Sequence, residues 1–177
     1  MYNLIPIYLG IGSNCQREIM LPAAYKRLKN YFTGLCISPV YRSKAVGFVG
    51  SDFYNAVIGF LTHKSWAEVN KILHRIEFDL DPVIRIHSNK YCKIDLDLLL
   101  YGDTIIDTAE CVLPRPDIMK YAFVLKPLAD IAPASRHPQL DKTYKTLWDE
   151  SSFANTTNLQ LVSFNWSMTS TMQLRSL

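Results

Sequence analysis

Two hydrophobic periods alternate along this chain, and the switches between them mark its elements. Ile5 to Ile11 is a compact apolar run closed by Gly12, Ser13 and Asn14, which predicts a buried strand and then a turn. From 17 to 32, Leu21, Ala24, Tyr25, Leu28 and Phe32 recur at helical spacing, and Gly34 follows, so the predicted helix stops at that glycine. LCISPVYRS (35–43) predicts a second strand, with Pro39 marking an edge or a bulge. FVGSD (48–52) predicts a loop, and FYNAVIGFL (53–61) a third strand. Ser65 to Phe78 reads as an amphipathic helix. Ser65 is its N-cap, Glu68 completes a capping box, and Val69, Ile72, Leu73 and Ile76 form one face.

Asp79 to Tyr91 shows no period and reads as a loop, long enough to suggest a functional one. KIDLDLLLYG (93–102) predicts a fourth strand that turns at Gly102 and Asp103, with TIID (104–107) as a short hairpin partner. LPRPDIMKYAFVLKPLADIAP (113–133) reads as a loop, a short helix and a proline-broken turn. From about Ser151 the chain turns rich in Ser, Thr and Asn, which fits either a loose tail or a pair of extra strands. No internal repeat is present. The order strand, helix, strand, strand, helix, strand is the ferredoxin-like arrangement. It is an α/β (α+β) fold whose antiparallel sheet packs its helices on one face and leaves the other free to build a site.

Composition narrows the class. A chain of 177 residues with 49% hydrophobic and 20% charged positions is globular, and long enough for one domain with a real core. The expected division is a domain over 1–150 and a polar extension over 151–177. No apolar run approaches a membrane span, and the N-terminus reads as a strand, not a signal peptide. The net charge of +3 is too small to argue for nucleic acid. Cys15, Cys36, Cys92 and Cys111 form no CxxC, so free thiols and a cytoplasmic location are expected.

The acids of KIDLDLLLYG carry the candidate chemistry. Residues two apart on a strand share a face, so Asp95 and Asp97 project side by side while Ile94, Leu96 and Leu98 face the helices. A hard divalent cation would relieve their repulsion, and Mg²⁺ needs only one or two carboxylates when phosphate oxygens complete its shell. A solvated acidic stripe is the alternative reading. GIGSN lacks the lysine of a P-loop and the third glycine of a dinucleotide fingerprint. His63, His74, His87 and His137 have no ligand spacing, and no motif for covalent catalysis is present.

Six segments together resemble the 6-hydroxymethyl-7,8-dihydropterin pyrophosphokinase family of folate biosynthesis. They are YLGIGSN (8–14), SPVYRS (38–43), FYNAV (53–57), RIE (75–77), IDLDLLLYG (94–102) and AFVLKPLADIAP (122–133), in the family's order and close to its spacing. The resemblance implies an enzyme, a diphosphotransferase, that moves pyrophosphate from ATP to the hydroxymethyl group of the dihydropterin and leaves AMP. It implies two Mg²⁺ ions on Asp95 and Asp97 and a catalytic role for these acids, and Arg85 and Lys93, displaced from the family's basic positions, are expected to act catalytically beside them. It implies a pterin pocket of Ser43, Val46, Phe53, Asn55 and Phe123, and ATP contacts at Glu77, Leu98 and Arg115. Small-molecule pterin and ATP are then the partners, with no nucleic acid or membrane, and a monomer is expected.

The departures from the family pattern fall in the phosphate-handling parts. Pro82, Ile84 and Ser88 stand where the family has basic residues, and Asn89 where it often has an aromatic. Tyr91 and Cys92 replace Pro-Arg, Arg115 replaces His, and Asp117 and Tyr121 replace arginines. Arg85, Lys90, Lys93, Arg115 and Lys120 are displaced cations able to compensate in part. The second reading these departures leave open is a catalytically impaired relative that binds pterin or nucleotide as a module.

Overall fold

The computed structural model describes residues 4–87, 93–156 and 158–167, apart from the side chains of 81–87 and 155–156. In chain order the elements are β1 (Ile5–Ser13), α1 (Arg17–Leu28), β2 (Cys36–Ile37), β3 (Val40–Ser43), β4 (Phe53–Thr62), α2 (Trp66–His87) and β5 (Ile94–Tyr101). They continue as β6 (Ile106–Asp107), β7 (Val112–Leu113), α3 (Asp117–Lys120), α4 (Ala122–Ile131), α5 (Tyr144–Glu150), α6 (Phe153–Thr156) and β8 (Gln160–Val162). The main sheet runs β5-β1-β4-β3-β8, with β2 also on β4, and its pairings are antiparallel. This is the ferredoxin-like order that the sequence pattern predicts.

Strand period divides the side chains between two cores. Ile7, Leu9 and Ile11 of β1 and Ile94, Leu96 and Leu98 of β5 pack with Met20, Leu21 and Leu28 of α1 and with Val69, Leu73 and Ile76 of α2. On the opposite face Val57, Leu99 and Leu100 meet Leu125, Leu128 and Ala129 of α4 and Tyr144 and Leu147 of α5. The two long helices thus cover one face, as expected, and the shorter α4 and α5 cover part of the other. A bulge sits where β1 shifts register against β5, from Tyr8 opposite Leu100 to Leu9 opposite Leu98. The extra residue, Leu99, lets two successive leucines face α4, after which Tyr101 returns to the α2 side.

Several expectations are corrected. The helix expected to end at Phe78 runs to His87, so residues 79–87 are not loop. The apolar stripe continues one step further, to the fully buried Leu80, and Arg75 pairs with Asp79 at 3.0 Å on the outer face. The last part of the expected loop, 88–91, lies outside the described residues. TIID does not pair with the acid strand; Ile106 and Asp107 pair with Leu113 and Val112. The segment after PRPD forms two helices, and Pro127 lies inside α4 instead of breaking it. The missing hydrogen bond is offset there by the burial of Leu125, Leu128 and Ala129.

Of the two readings of the C-terminal segment, its described part contains one strand, β8, which extends the sheet beside β3. Phe164 and Trp166 then pack edge-on against Tyr54 and Tyr25, with ring centroids 6.1 and 5.5 Å apart. Cys15 is disulfide-bonded while Cys36 and Cys111 are free, which corrects the expectation of free thiols throughout. Among the described residues no helix is long and apolar enough to cross a membrane.

Leu80 tests the extended helix. Leu80→Ala should cost about 2–5 kcal/mol in urea unfolding. Phe78→Ala, at a position 71% exposed, should stay within about 0.5 kcal/mol. A neutral Leu80→Ala would mean that the helix packs no further than Ile76.

Candidate active site

The site is built on the register of three strands. Gly12 of β1 lies opposite Asn55 of β4 on one side and Asp95 of β5 on the other. Two residues back, Gly10 lies between Val57 and Asp97. Directly opposed residues share a face, so the amide and the acids look into the same space, roughly 10 Å apart across two strand spacings. The central strand contributes no side chain at either level. A Cβ on Gly12 would stand 2.9 Å from the Asn55 Oδ1, so the glycine is needed for this approach.

A cavity of about 240 Å³ opens over this glycine floor. It is lined by all five expected pterin residues, Ser43, Val46, Phe53, Asn55 and Phe123, and by Lys93, Asp95 and Asp97. Asn55 is only 7% exposed and donates from Nδ2 to the Ser43 Oγ at 3.0 Å. Phe53 is braced edge-on by Phe48, with centroids 6.2 Å apart. Phe123 is stacked by Tyr121 at 5.0 Å and 14° between planes. The aromatic rings with a nearly buried amide suit a flat, hydrogen-bonding heterocycle.

The GSN turn after β1 fixes the entry to β5. The Ser13 hydroxyl donates to the Lys93 carbonyl at 2.8 Å, and the Asn14 Oδ1 accepts the Lys93 N–H at 2.8 Å. Both side chains are buried, so the backbone just ahead of Asp95 is held on both its polar groups.

Burial pushes both acids above the usual carboxylate range. At Asp95, Asp97 and Glu77 add repulsion, against the opposing pull of Lys93 and Arg115. At Asp97 burial is opposed chiefly by Arg115, whose Nη2 lies 2.9 Å from Oδ1. The Arg115 Nε is also 2.8 Å from the Asp117 Oδ2. Asp97 keeps 43% of its side chain exposed, so the acids are confined in a cleft and not sealed from water. Two hard carboxylates on one face, each raised by its surroundings and open to a cavity, fit the donor set that Mg²⁺ takes when phosphates complete its shell.

Among the described residues, Glu77, Leu98 and Arg115 do not line this cavity. Glu77, on α2, accepts the Leu96 N–H at 2.6 Å and contacts the His74 Nδ1 at 3.1 Å. The Leu98 side chain is buried in the core beneath α1 and α2, so only its backbone is available to a ligand at the outer edge of β5. Arg85 falls within the span of α2, but its side chain is outside the described set, as are Lys90 and its neighbours. The sequence reading did not place Phe48 or Lys44 at the cleft, and it noted Asp117 only as a replaced arginine of the phosphate-handling part. The two glycines carried a readable signal, since Gly at i and i+2 of a strand marks close approach on one face.

The chain matches the model of the 7,8-dihydro-6-hydroxymethylpterin-pyrophosphokinase family over residues 8–133. It is 33% identical to a 2-amino-4-hydroxy-6-hydroxymethyldihydropteridine pyrophosphokinase of Aquifex aeolicus, over 78% of this chain and 88% of that protein. The corresponding protein of Haemophilus influenzae is 32% identical, over 73% of this chain and 82% of its own length. A folic acid synthesis protein of Pneumocystis carinii is 35% identical over 75% of this chain, which spans only 18% of that longer relative. Among solved structures, a Plasmodium falciparum HPPK-DHPS shares the fold, with a TM-score of 0.68 at 14% identity over 84% of this chain and 42% of that one.

The raised Asp95 gives a signed prediction for metal-free protein. A carboxyl that holds its proton more tightly in the folded chain than in the unfolded one stabilises the fold most at low pH. That stability is lost as pH climbs from the ordinary carboxylate value through the raised one. Ionised Asp95 is therefore a burden at neutral pH. Asp95→Asn should melt higher than the parent at pH ~7 in EDTA, with the difference shrinking toward pH ~4. A lower melting temperature at neutral pH would show that the carboxylate is stabilised by its neighbours.

Proposed function

The chain belongs to the 7,8-dihydro-6-hydroxymethylpterin-pyrophosphokinase family, and from that premise we propose that it transfers pyrophosphate from ATP to 6-hydroxymethyl-7,8-dihydropterin. The single observation that carries this reading is the Asn55–Gly12–Asp95 register. It sets an amide and a carboxylate on one face, a pterin's length apart, which supports the amide as the reader of the ring and the acid as a metal ligand. The alcohol of a ring lying between them is directed toward the acids.

In this reading Phe53 and Phe123 take the faces of the pterin, and Asn55, oriented by Ser43, reads its amide edge. Val46 closes the pocket from the loop before β4. ATP lies along the outer edge of β5, beside Glu77 and the Leu98 backbone, with its phosphates toward Asp95, Asp97, Lys93 and Arg115. Arg85 is assigned to the same phosphates from α2. Two Mg²⁺ ions held by Asp95 and Asp97 would neutralise phosphate charge and align the reacting atoms. The pterin hydroxymethyl oxygen forms a bond to the β-phosphorus as the bond from that phosphorus to the α-phosphate oxygen breaks, so AMP leaves and the hydroxyl proton is released. The protein's share is positioning and electrostatics, with little covalent work. The catalytic unit is assigned to residues 1–150, working as a monomer, and 151–177 to an extension.

The direct test is to supply protein, Mg²⁺, ATP and the hydroxymethyl dihydropterin and to quantify AMP. AMP should form in step with the pterin pyrophosphate, and Asp95→Asn or Asp97→Asn should lower the rate by about 10²-fold or more. Asn55→Ala should weaken pterin binding by about 1–3 kcal/mol, because ring donors lose their partner, with a smaller effect on ATP. Pterin and nucleotide binding without AMP would establish the impaired-module reading that the replaced arginines raise.

A further inference from the structure

We propose that Asp117 is a positioning residue that tethers Arg115 beside the acid pair, so that the guanidinium paired here with Asp97 exchanges to the phosphates when Mg·ATP binds. This rests on the phosphate-transfer reading above and concerns how this chain grips the triphosphate.

One guanidinium is held here from two sides. Its Nη2 lies 2.9 Å from the Asp97 Oδ1, and its Nε lies 2.8 Å from the Asp117 Oδ2. Asp97 and Asp117 both line the cavity. The root of the arm is fixed separately. The Arg115 N–H donates to the carbonyl of Leu99, the bulged residue of β5, at 3.0 Å, and the Arg115 carbonyl accepts the Ile118 N–H at 3.1 Å. Movement is therefore confined to the side chain.

The arrangement puts a cation where a cation is required. A divalent ion on Asp97 must compete with the guanidinium for Oδ1 and is repelled by its charge. A permanent bridge would thus weaken the metal site. The pair is 38% and 43% exposed, and ion pairs this open to water are weak. Exchange therefore requires no repacking of the core. The guanidinium fork makes the exchange useful. Nε can stay on Asp117 while the two terminal nitrogens turn from carboxylate to phosphate. Asp117 then keeps the cation within a side-chain rotation of the phosphates, where a lone surface arginine would sample many rotamers. The acid at 117 and the arginine at 115 thus form one device.

The test separates metal binding from nucleotide binding. Mn²⁺ binding to nucleotide-free protein is measured from the resonance of free Mn²⁺, and binding of Mg²⁺ with α,β-methylene-ATP by calorimetry. Arg115→Gln should tighten nucleotide-free Mn²⁺ binding several-fold and weaken nucleotide binding about tenfold, opposite signs that a structural bridge would not give. Asp117→Asn should leave Mn²⁺ binding within about twofold or weaker. It should weaken the nucleotide several-fold and raise KM for ATP with kcat largely kept, and Asp117→Glu should restore KM. Should Arg115→Gln not fold, Arg115→Lys, which keeps the charge but not the fork, should lose nucleotide affinity in its place.

If Arg115→Gln weakens Mn²⁺ binding or leaves it unchanged while the parent forms AMP, exchange is wrong and the family reading stands. An Asp117→Asn protein that binds nucleotide like the parent removes the tether. A parent that binds neither Mn²⁺ nor the nucleotide and forms no AMP overturns both the exchange and the function it rests on.

Discussion

A one-residue slip between β1 and β5 would turn Asp95 and Asp97 into the core beneath α1 and α2, and Leu96 and Leu98 into the cleft. The burial of Ile7, Leu9, Ile11, Ile94, Leu96 and Leu98 on one face is what forbids that slip. The site depends on the same pairing in three further ways. It sets Gly12 between Asn55 and Asp95, and it brings the GSN turn onto the Lys93 backbone. It also carries the bulge at Leu99, whose carbonyl takes the Arg115 N–H. Packing on one face of the sheet thus dictates chemistry on the other.

The cleft concentrates opposite demands. Aromatic walls and a nearly buried amide favour an uncharged ring at one end, while two carboxylates raised by burial wait at the other. Neither acid is comfortable as an anion without a cation beside it. Arg115 supplies part of that need at Asp97, and Lys93 part of it at Asp95. Under the proposed function, a metal ion with bound phosphates would supply more charge than either side chain and meet the rest of that need.

Much of this was legible in the sequence. The two-residue spacing of Asp95 and Asp97 placed them on one face, and the element order gave the sheet. The residues that line the cavity beside the acids were singled out through resemblance, because Phe53 and Phe123 are indistinguishable from core aromatics by pattern. The continuation of α2 was missed because the two aspartates and Pro82 of DLDP read as a loop, although Leu80, Val83 and Ile84 keep the helical spacing. The bulge was missed although three leucines in a row already break strict alternation. The role of Asp117 could not be read: its partner Arg115 meets Asp97 only because the segment before α3 docks on the edge of β5, a long-range contact with no local signature.

The central claim is that the amide and the acids serve one ligand-filled cleft. Paramagnetic relaxation of bound 6-hydroxymethyl-dihydropterin tests it most directly, with Mn²⁺ as the metal and α,β-methylene-ATP completing the site. The account predicts strong relaxation of the hydroxymethyl protons, steeper than that of the ring's far edge, and its loss when Asp95 and Asp97 are both replaced by Asn. Pterin that binds while its hydroxymethyl protons remain unaffected by Mn²⁺ would place ring and metal apart and contradict the account.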